Sequence, residues 1–275
     1  MRDTIKMLAA FFTALAFSSH ALAHEYYLLP ETFKPETGVA FAVDHRLGQD
    51  FKGSTHPWIT RWNVRSEVWT KGEKADLVGK DGDRPALTVP PQPKGLAVVV
   101  HQSNISTLDF REREKFEAYL NKEGLSAIIA AHAESGLAQP SAATPVREAY
   151  ARFAKTIVNV GGDRAGQDVA TGLTVELVAG ENPLALEAGQ PMPVTLLWRG
   201  KPLEGATVKV FPRPGEPFVH RIVTDAQGRA MIPDDGPGPY LLNAIHMERA
   251  VSPEAVEKKA IWESWWASLT FSRAR

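Results

Sequence analysis

The chain has 275 residues, with 31 basic and 32 acidic side chains, a net charge of -1 and no cysteine. At 44% hydrophobic and 23% charged residues it has globular proportions, which exclude a disordered, collagen-like or polytopic membrane chain. Charge balance removes the basic face of nucleic-acid binders, and lack of cysteine removes disulfides, thiol nucleophiles, iron–sulfur clusters and thiolate zinc sites.

Residues 1–23 read as a secretory signal peptide. Arg2 and Lys6 give a positive start, residues 7–17 form an apolar run, and Ala21-Leu22-Ala23 is a small-x-small cleavage site. The run is shorter than the roughly 20 apolar residues of a membrane span, and no later segment is long and apolar enough to insert stably. Cleavage after Ala23 predicts a periplasmic protein whose first residue is His24. Without cysteine the mature chain must stand on its own cores, most naturally as two domains.

A first β-sandwich is predicted over 24–110. Val39, Phe41 and Val43 alternate with Ala40, Ala42 and Asp44. Trp62, Val64 and Val68 alternate with Asn63, Arg65 and Glu67, the period of half-buried strands. Residues 96–100 are a continuous apolar strand, entered through the Pro- and Gly-containing breaker 90–95.

A helical insert is predicted over 111–158. Phe116, Tyr119 and Leu120 share one face of a helix over 112–121, and Gly124 stands where a glycine stops it. A second helix spans 125–134 and ends at Gly136; a third is expected over 147–154. From 159 to 275 strands return as an immunoglobulin-like β-sandwich. Val194, Leu196 and Trp198 alternate, as do Val208 and Val210, and Thr224 to Arg229 reads as a hairpin turned by Asp225 and Gly228. Trp262, Trp265, Trp266, Leu269 and Phe271 close the chain, and four of the five are expected to be buried, since the terminus would otherwise be an exposed aromatic patch. The fold class is therefore mainly β, two sandwiches with a small helical insert between them.

Enzyme signatures fail. There is no G-x-S-x-G elbow and no Walker loop, and His24-Glu25 is followed by Leu28 where a zinc protease needs a second histidine. Residues 161–166 are glycine-rich but lead into strand-like sequence, not the helix a phosphate cradle needs. Asp81-Gly82-Asp83 offers far fewer oxygens than calcium takes and reads as a turn. Asn104-Ile105-Ser106 is a chance sequon.

The mature terminus carries the sharpest chemistry. A free α-amine and an imidazole on His24 can chelate one metal ion together. A histidine from another strand would make a three-nitrogen site suited to nickel, cobalt or copper. His246 in the strand 240–247, His45 after the strand ending at Val43, and His101 at the end of the 96–100 strand are the candidates. His56 before Pro57, His132 in an alanine-rich helix and His220 near a turn are set aside as structural or surface histidines. Met192, Met231 and Met247 are the only methionines after the signal, and Met247 points opposite to His246 in a strand. A thioether copper(I) site is therefore not expected.

Several runs carry a family resemblance: His24-Glu25-Tyr26-Tyr27-Leu28-Leu29-Pro30, Arg46-Leu47-Gly48-Gln49-Asp50-Phe51-Lys52-Gly53, Gly82-Asp83-Arg84-Pro85-Ala86, Arg152-Phe153-Ala154-Lys155-Thr156 and the segment 262–271. In that order the chain resembles bacterial periplasmic proteins associated with cobalt/nickel uptake and catalogued as a domain of unknown function. The resemblance implies a non-enzymatic accessory that binds nickel or cobalt, with His24 and then His246 as ligands, and serves an inner-membrane nickel/cobalt transporter. Two other readings remain open: a copper enzyme with a histidine brace at a flat polysaccharide surface, and a structural or carbohydrate-binding sandwich without metal.

Overall fold

The computed structural model describes residues 25–274, and the predicted signal peptide and His24 lie outside the described residues. Strands β1 (Glu25–Pro30), β2 (Phe41–Gln49), β3 (Lys52–His56), β4 (Asn63–Thr70), β5 (Glu73–Asp76), β6 (Leu87–Val89), β7 (Gly95–Ser103) and β8 (Ser106–Phe110) come first. Helices α1 (Arg113–Glu123) and α2 (Ser126–Glu134) follow. The remainder is β9 (Val146–Val160), β10 (Val175–Ala179), β11 (Met192–Trp198), β12 (Lys201–Pro202), β13 (Thr207–Phe211), β14 (His220–Val223), β15 (Arg229–Ile232), β16 (Gly238–Arg249), the short α3 (Pro253–Glu257) and β17 (Trp262–Arg273). Among the described residues no helix is long and apolar enough to cross a membrane.

The protein is mainly β and built of sandwiches, as its sequence predicts, and the sandwiches share a layer. A nine-stranded sheet runs β14-β13-β16-β17-β9-β7-β4-β5, with β8 also on β9. One face is covered by β1-β2-β3 and β6, the other by β10-β11-β12 and β15. Side chains alternate across a strand, so β7 feeds both cores. Ala97 and Val99 pack with Leu28, Phe41, Val43 and Trp58, whereas Val98 and Val100 pack with Val175, Leu177, Val194 and Leu196. Burial on both faces is why residues 96–100 are apolar without alternation.

Helices α1 and α2 cover the central sheet beside β1–β3. Phe116, Tyr119 and Leu120 meet Phe110, Val146, Ile245, Met247, Trp262 and Trp266 there. Gly124 stops α1 in the left-handed region at φ 78°, its N–H bonded to the carbonyls of Leu120 and Asn121. All five closing hydrophobics predicted over 262–271 are buried.

Three expectations are corrected. The helix predicted over 147–154 is the first half of β9, which pairs parallel with β17 and antiparallel with β7 and β8. Its small Ala149, Ala151 and Ala154 are buried between layers, and tertiary packing overrides their helical preference. In β4 the register shifts between Asn63 and Arg65, a bulge that breaks the alternation. The bulged Val64 is therefore exposed, Trp62 is exposed in the helical turn 60–62 that precedes the strand, and Ser66, Glu67 and Val68 are consecutively buried. The turn at 224–229 is not a hairpin between paired strands, because β14 pairs with β13 and β15 with β11; the chain crosses there from the central sheet to an outer one. Gly228 sits at φ 68° in that corner, and a Cβ on it would lie 2.6 Å from the Leu196 carbonyl oxygen.

Candidate functional site

The pleat of β2 sends Phe41, Val43 and His45 inward toward the central sheet. His45 stands opposite Leu28 of β1 on one side and His56 of β3 on the other. The pleat of β7 puts His101 on the same face as Ala97 and Val99. Packing the two sheets brings the rings of His45 and His101 to 4.4 Å between centroids. Tyr26 closes on both, at 5.6 Å and 5.4 Å, and Trp58 lies 6.2 Å from His45. A cavity of about 270 Å³ opens here, continued by His56, Trp62, Tyr150 and Arg152.

Burial governs the charges. His45 is 5% exposed and His101 4%; desolvation pushes the imidazole of His45 down to about 4 and that of His101 well below its ordinary 6.5. The charge of His56 adds to the effect on His45, those of His45 and Arg152 add to the effect on His101, and Arg152 also lowers His56. Both buried rings are thus neutral at physiological pH. The Ser66 hydroxyl donates to Asn63 Oδ1 at 2.8 Å and lies 3.0 Å from His101 Nδ1. With its one proton committed to Asn63, Ser66 accepts from Nδ1–H, which leaves His101 Nε2 with its lone pair. His45 Nε2 is buried with no hydrogen-bond partner among the described residues. Neutral rings, one oriented by a serine and one with an orphaned nitrogen, suit a borderline divalent cation. Among the described residues no three histidine or carboxylate side chains converge on a metal position, so the pair needs a further ligand.

Of the histidines singled out in the sequence, His45 and His101 come together and His246 does not join them. In β16, Leu242 and Ala244 face the core shared with β10 and β11, whereas Ile245 and Met247 face the helices. Alternation puts His246 with the former, on the opposite face of the central sheet from His101. Its ring lies 4.5 Å from Trp198 and 5.9 Å from Trp265, and its Nε2 is 3.4 Å from Glu248. His24 lies outside the described residues. Glu25, next to it, turns its carboxylate away from the pocket to buried Lys209, which also holds Glu123 at the end of α1.

His56, set aside in the sequence, belongs to the pocket. It follows from the β2–β3 hairpin, in which Gln49 faces Lys52 and His45 therefore faces His56. The turn residues Asp50 and Phe51, both at φ 54°, are not the Asn-Gly or Asp-Gly pair that signals such a turn. His132 accepts from Trp262 Nε1 at 3.1 Å, and His220 pairs with Asp235 at 3.0 Å; both do structural work.

A family model described as Domain of unknown function (DUF4198) matches residues 21–248. No curated protein matches the chain. Among solved structures it is similar to the D0-D1 domain of Intimin at 10% identity, over 89% of this chain and 96% of that one, with a TM-score of 0.21, too low to bear on fold or function.

Proposed function

The chain belongs to the DUF4198 family, whose description assigns no activity, and from its pocket we propose that it is an exported periplasmic protein that binds nickel or cobalt and supplies a membrane transporter. The observation that carries the metal half is the neutral His45–His101 pair with its orphaned Nε2. The metal is cargo here, and what the chain does is offer nitrogen ligands that need lose no proton to bind it.

His24 is the proposed further ligand. In the sequence it stands two positions before Tyr26 of the pocket wall. Its α-amine and imidazole would raise the donor count from two nitrogens to four. Supply to a transporter rests on the resemblance to cobalt/nickel uptake proteins, and export on the signal-like segment 1–23. Copper(II) outcompetes nickel and cobalt at nitrogen sites, so copper binding in vitro is expected and does not decide the cargo. A copper brace at a flat polysaccharide surface is disfavoured, because His45 and His101 are buried beneath Tyr26 and Trp58.

Calorimetric titration of protein beginning at His24 with nickel tests the proposal. His101→Ala and a form with one extra residue before His24 should each weaken binding at least about tenfold, the loss of one ligand bond, while His246→Ala leaves it unchanged. Unaltered affinity in His101→Ala would refute the pocket as the site, and unaltered affinity in the extended form would refute the terminal ligand.

A further inference from the structure

Among the described residues Arg152 is the one formally charged side chain that lines the pocket, and no carboxylate balances it. It lies on β9 beside Ala154, the residue opposite His101. Its guanidinium carbon sits 4.8 Å from the Tyr150 ring centroid and 5.7 Å from that of Tyr26. Its Nε is buried with no hydrogen-bond partner, and among the described residues no carboxylate pairs with it. Among the described residues Arg46, Arg65 and Arg147 are the other half-buried arginines and Arg273 is a buried one. They hold Asp44, Glu67, Asp109 and Asp234 respectively. Leaving one buried guanidinium hydrogen-bond donor unmatched is costly in a folded protein, and Arg152 opens onto a cavity.

We propose that this pocket binds a small organic carboxylate with a flat apolar body, its carboxylate on Arg152 and its body against the aromatic wall. The lining contains no aspartate or glutamate, so Arg152 sets the sign of the ligand. Tyr150 and Tyr26 pack on the guanidinium, and a guanidinium can offer a carboxylate two parallel bonds. Trp58 forms part of the wall and Trp62 is 45% exposed beside it. A volume of about 270 Å³ with aromatic and apolar walls, a few polar side chains and one charged anchor is the usual make-up of a small-molecule site. Phosphate is a poorer match, because a single guanidinium supplies little of the charge a dianion requires.

This inference goes beyond the metal proposal and does not depend on it. If a cation does sit on the histidine pair, the carboxylate would offset the repulsion between that cation and Arg152.

The test uses metal-free protein beginning at His24, dialysed against a chelator, with tryptophan fluorescence and calorimetry as readouts. Benzoate, its neutral counterpart benzamide, and inorganic phosphate are the probes. Benzoate should bind saturably, with benzamide at least about tenfold weaker, the loss expected for one charge-assisted pair. Arg152→Met should lose benzoate binding by a similar factor. Equal binding of benzoate and benzamide, or no benzoate binding, would overturn the proposal without any variant having to fold. Phosphate binding in place of benzoate would overturn the carboxylate assignment. Nickel titration without added carboxylate reports separately on the metal site, so failure of either proposal leaves the other standing.

Discussion

Glu148 gives the most discriminating test of how the helices are held on the sheet. It lies on β9 between Trp262 of β17 and Leu108 of β8, 1% exposed. Tyr119 donates its hydroxyl to Oε1 at 3.0 Å, and the Ser264 hydroxyl donates to the same oxygen. Oε2 has no partner among the described residues. Burial pushes the carboxyl from 4.5 up to about 7 against the opposing pull of these hydrogen bonds, and the charge of Glu123 adds to the rise.

An acid whose folded value lies above its unfolded one stabilises the fold while protonated. That contribution is complete below pH 4.5 and disappears as pH rises through 7. At about 1.4 kcal/mol for each tenfold change in proton affinity, the loss between pH 4.5 and pH 8 is roughly 3 kcal/mol. Glu148→Gln keeps the shape of the protonated acid and carries no charge. Urea denaturation should find the two proteins within about 1 kcal/mol of each other at pH 5. At pH 8 the variant should be more stable by roughly 2–3 kcal/mol, or about 4–12 °C in thermal midpoint. His45 acts in the opposite sense, its depressed value withdrawing stability as pH falls from 6.5 toward 4, but it is common to both proteins and cancels in the difference. Parallel stability curves from pH 5 to pH 8 would show that Glu148 is ionised in the folded state and that the reasoning fails.

Other outcomes can be checked more simply. Lys155 Nζ lies 2.8 Å from Asp168 and 2.9 Å from Glu176, all three essentially without solvent exposure. Lys155→Met strands two carboxylates and should cost about 3–5 kcal/mol by urea midpoint. Gly228→Ala puts a Cβ into the Leu196 carbonyl at positive φ and should lose about 1–3 kcal/mol, read as a fall in thermal midpoint. The His45 imidazole should remain neutral on acidification to about pH 5 in a nitrogen-detected NMR titration; a midpoint near 6.5 would show that it is not buried as described.

What the sequence makes legible is what local chemistry decides. The apolar run 96–100, the stop at Gly124 and the aromatic segment 262–271 all stand where they were expected. β9 was not legible, because Arg147 to Ala154 is rich in residues that favour helix and becomes a strand only through β7, β8 and β17, two of which come from distant parts of the chain. Of the pocket, His45 and His101 could be picked out as histidines, although β2 and β7 run on past them and neither stands at a strand end. Their contact could not, since it arises from stacking two sheets. His56 needed the register of an atypical turn, and the exclusion of His246 needed to know which face of β16 looks at which core. Arg152 stood out only as part of a family motif and not as a binding group, because an unpaired charge is a property of neighbours.

The position of β17 bears on how the protein comes into being. It lies in the middle of the central sheet, antiparallel to β16 and parallel to β9. Until those residues have emerged, β9 and β16 each keep an unfilled edge, and β7 with its histidine is joined to β13, β14 and β16 by no backbone hydrogen bonds. The pocket wall built on β9 can therefore become rigid only once β17 is in place. A chain cut short before Trp262 would be a sticky pair of half-sheets rather than a smaller version of the protein.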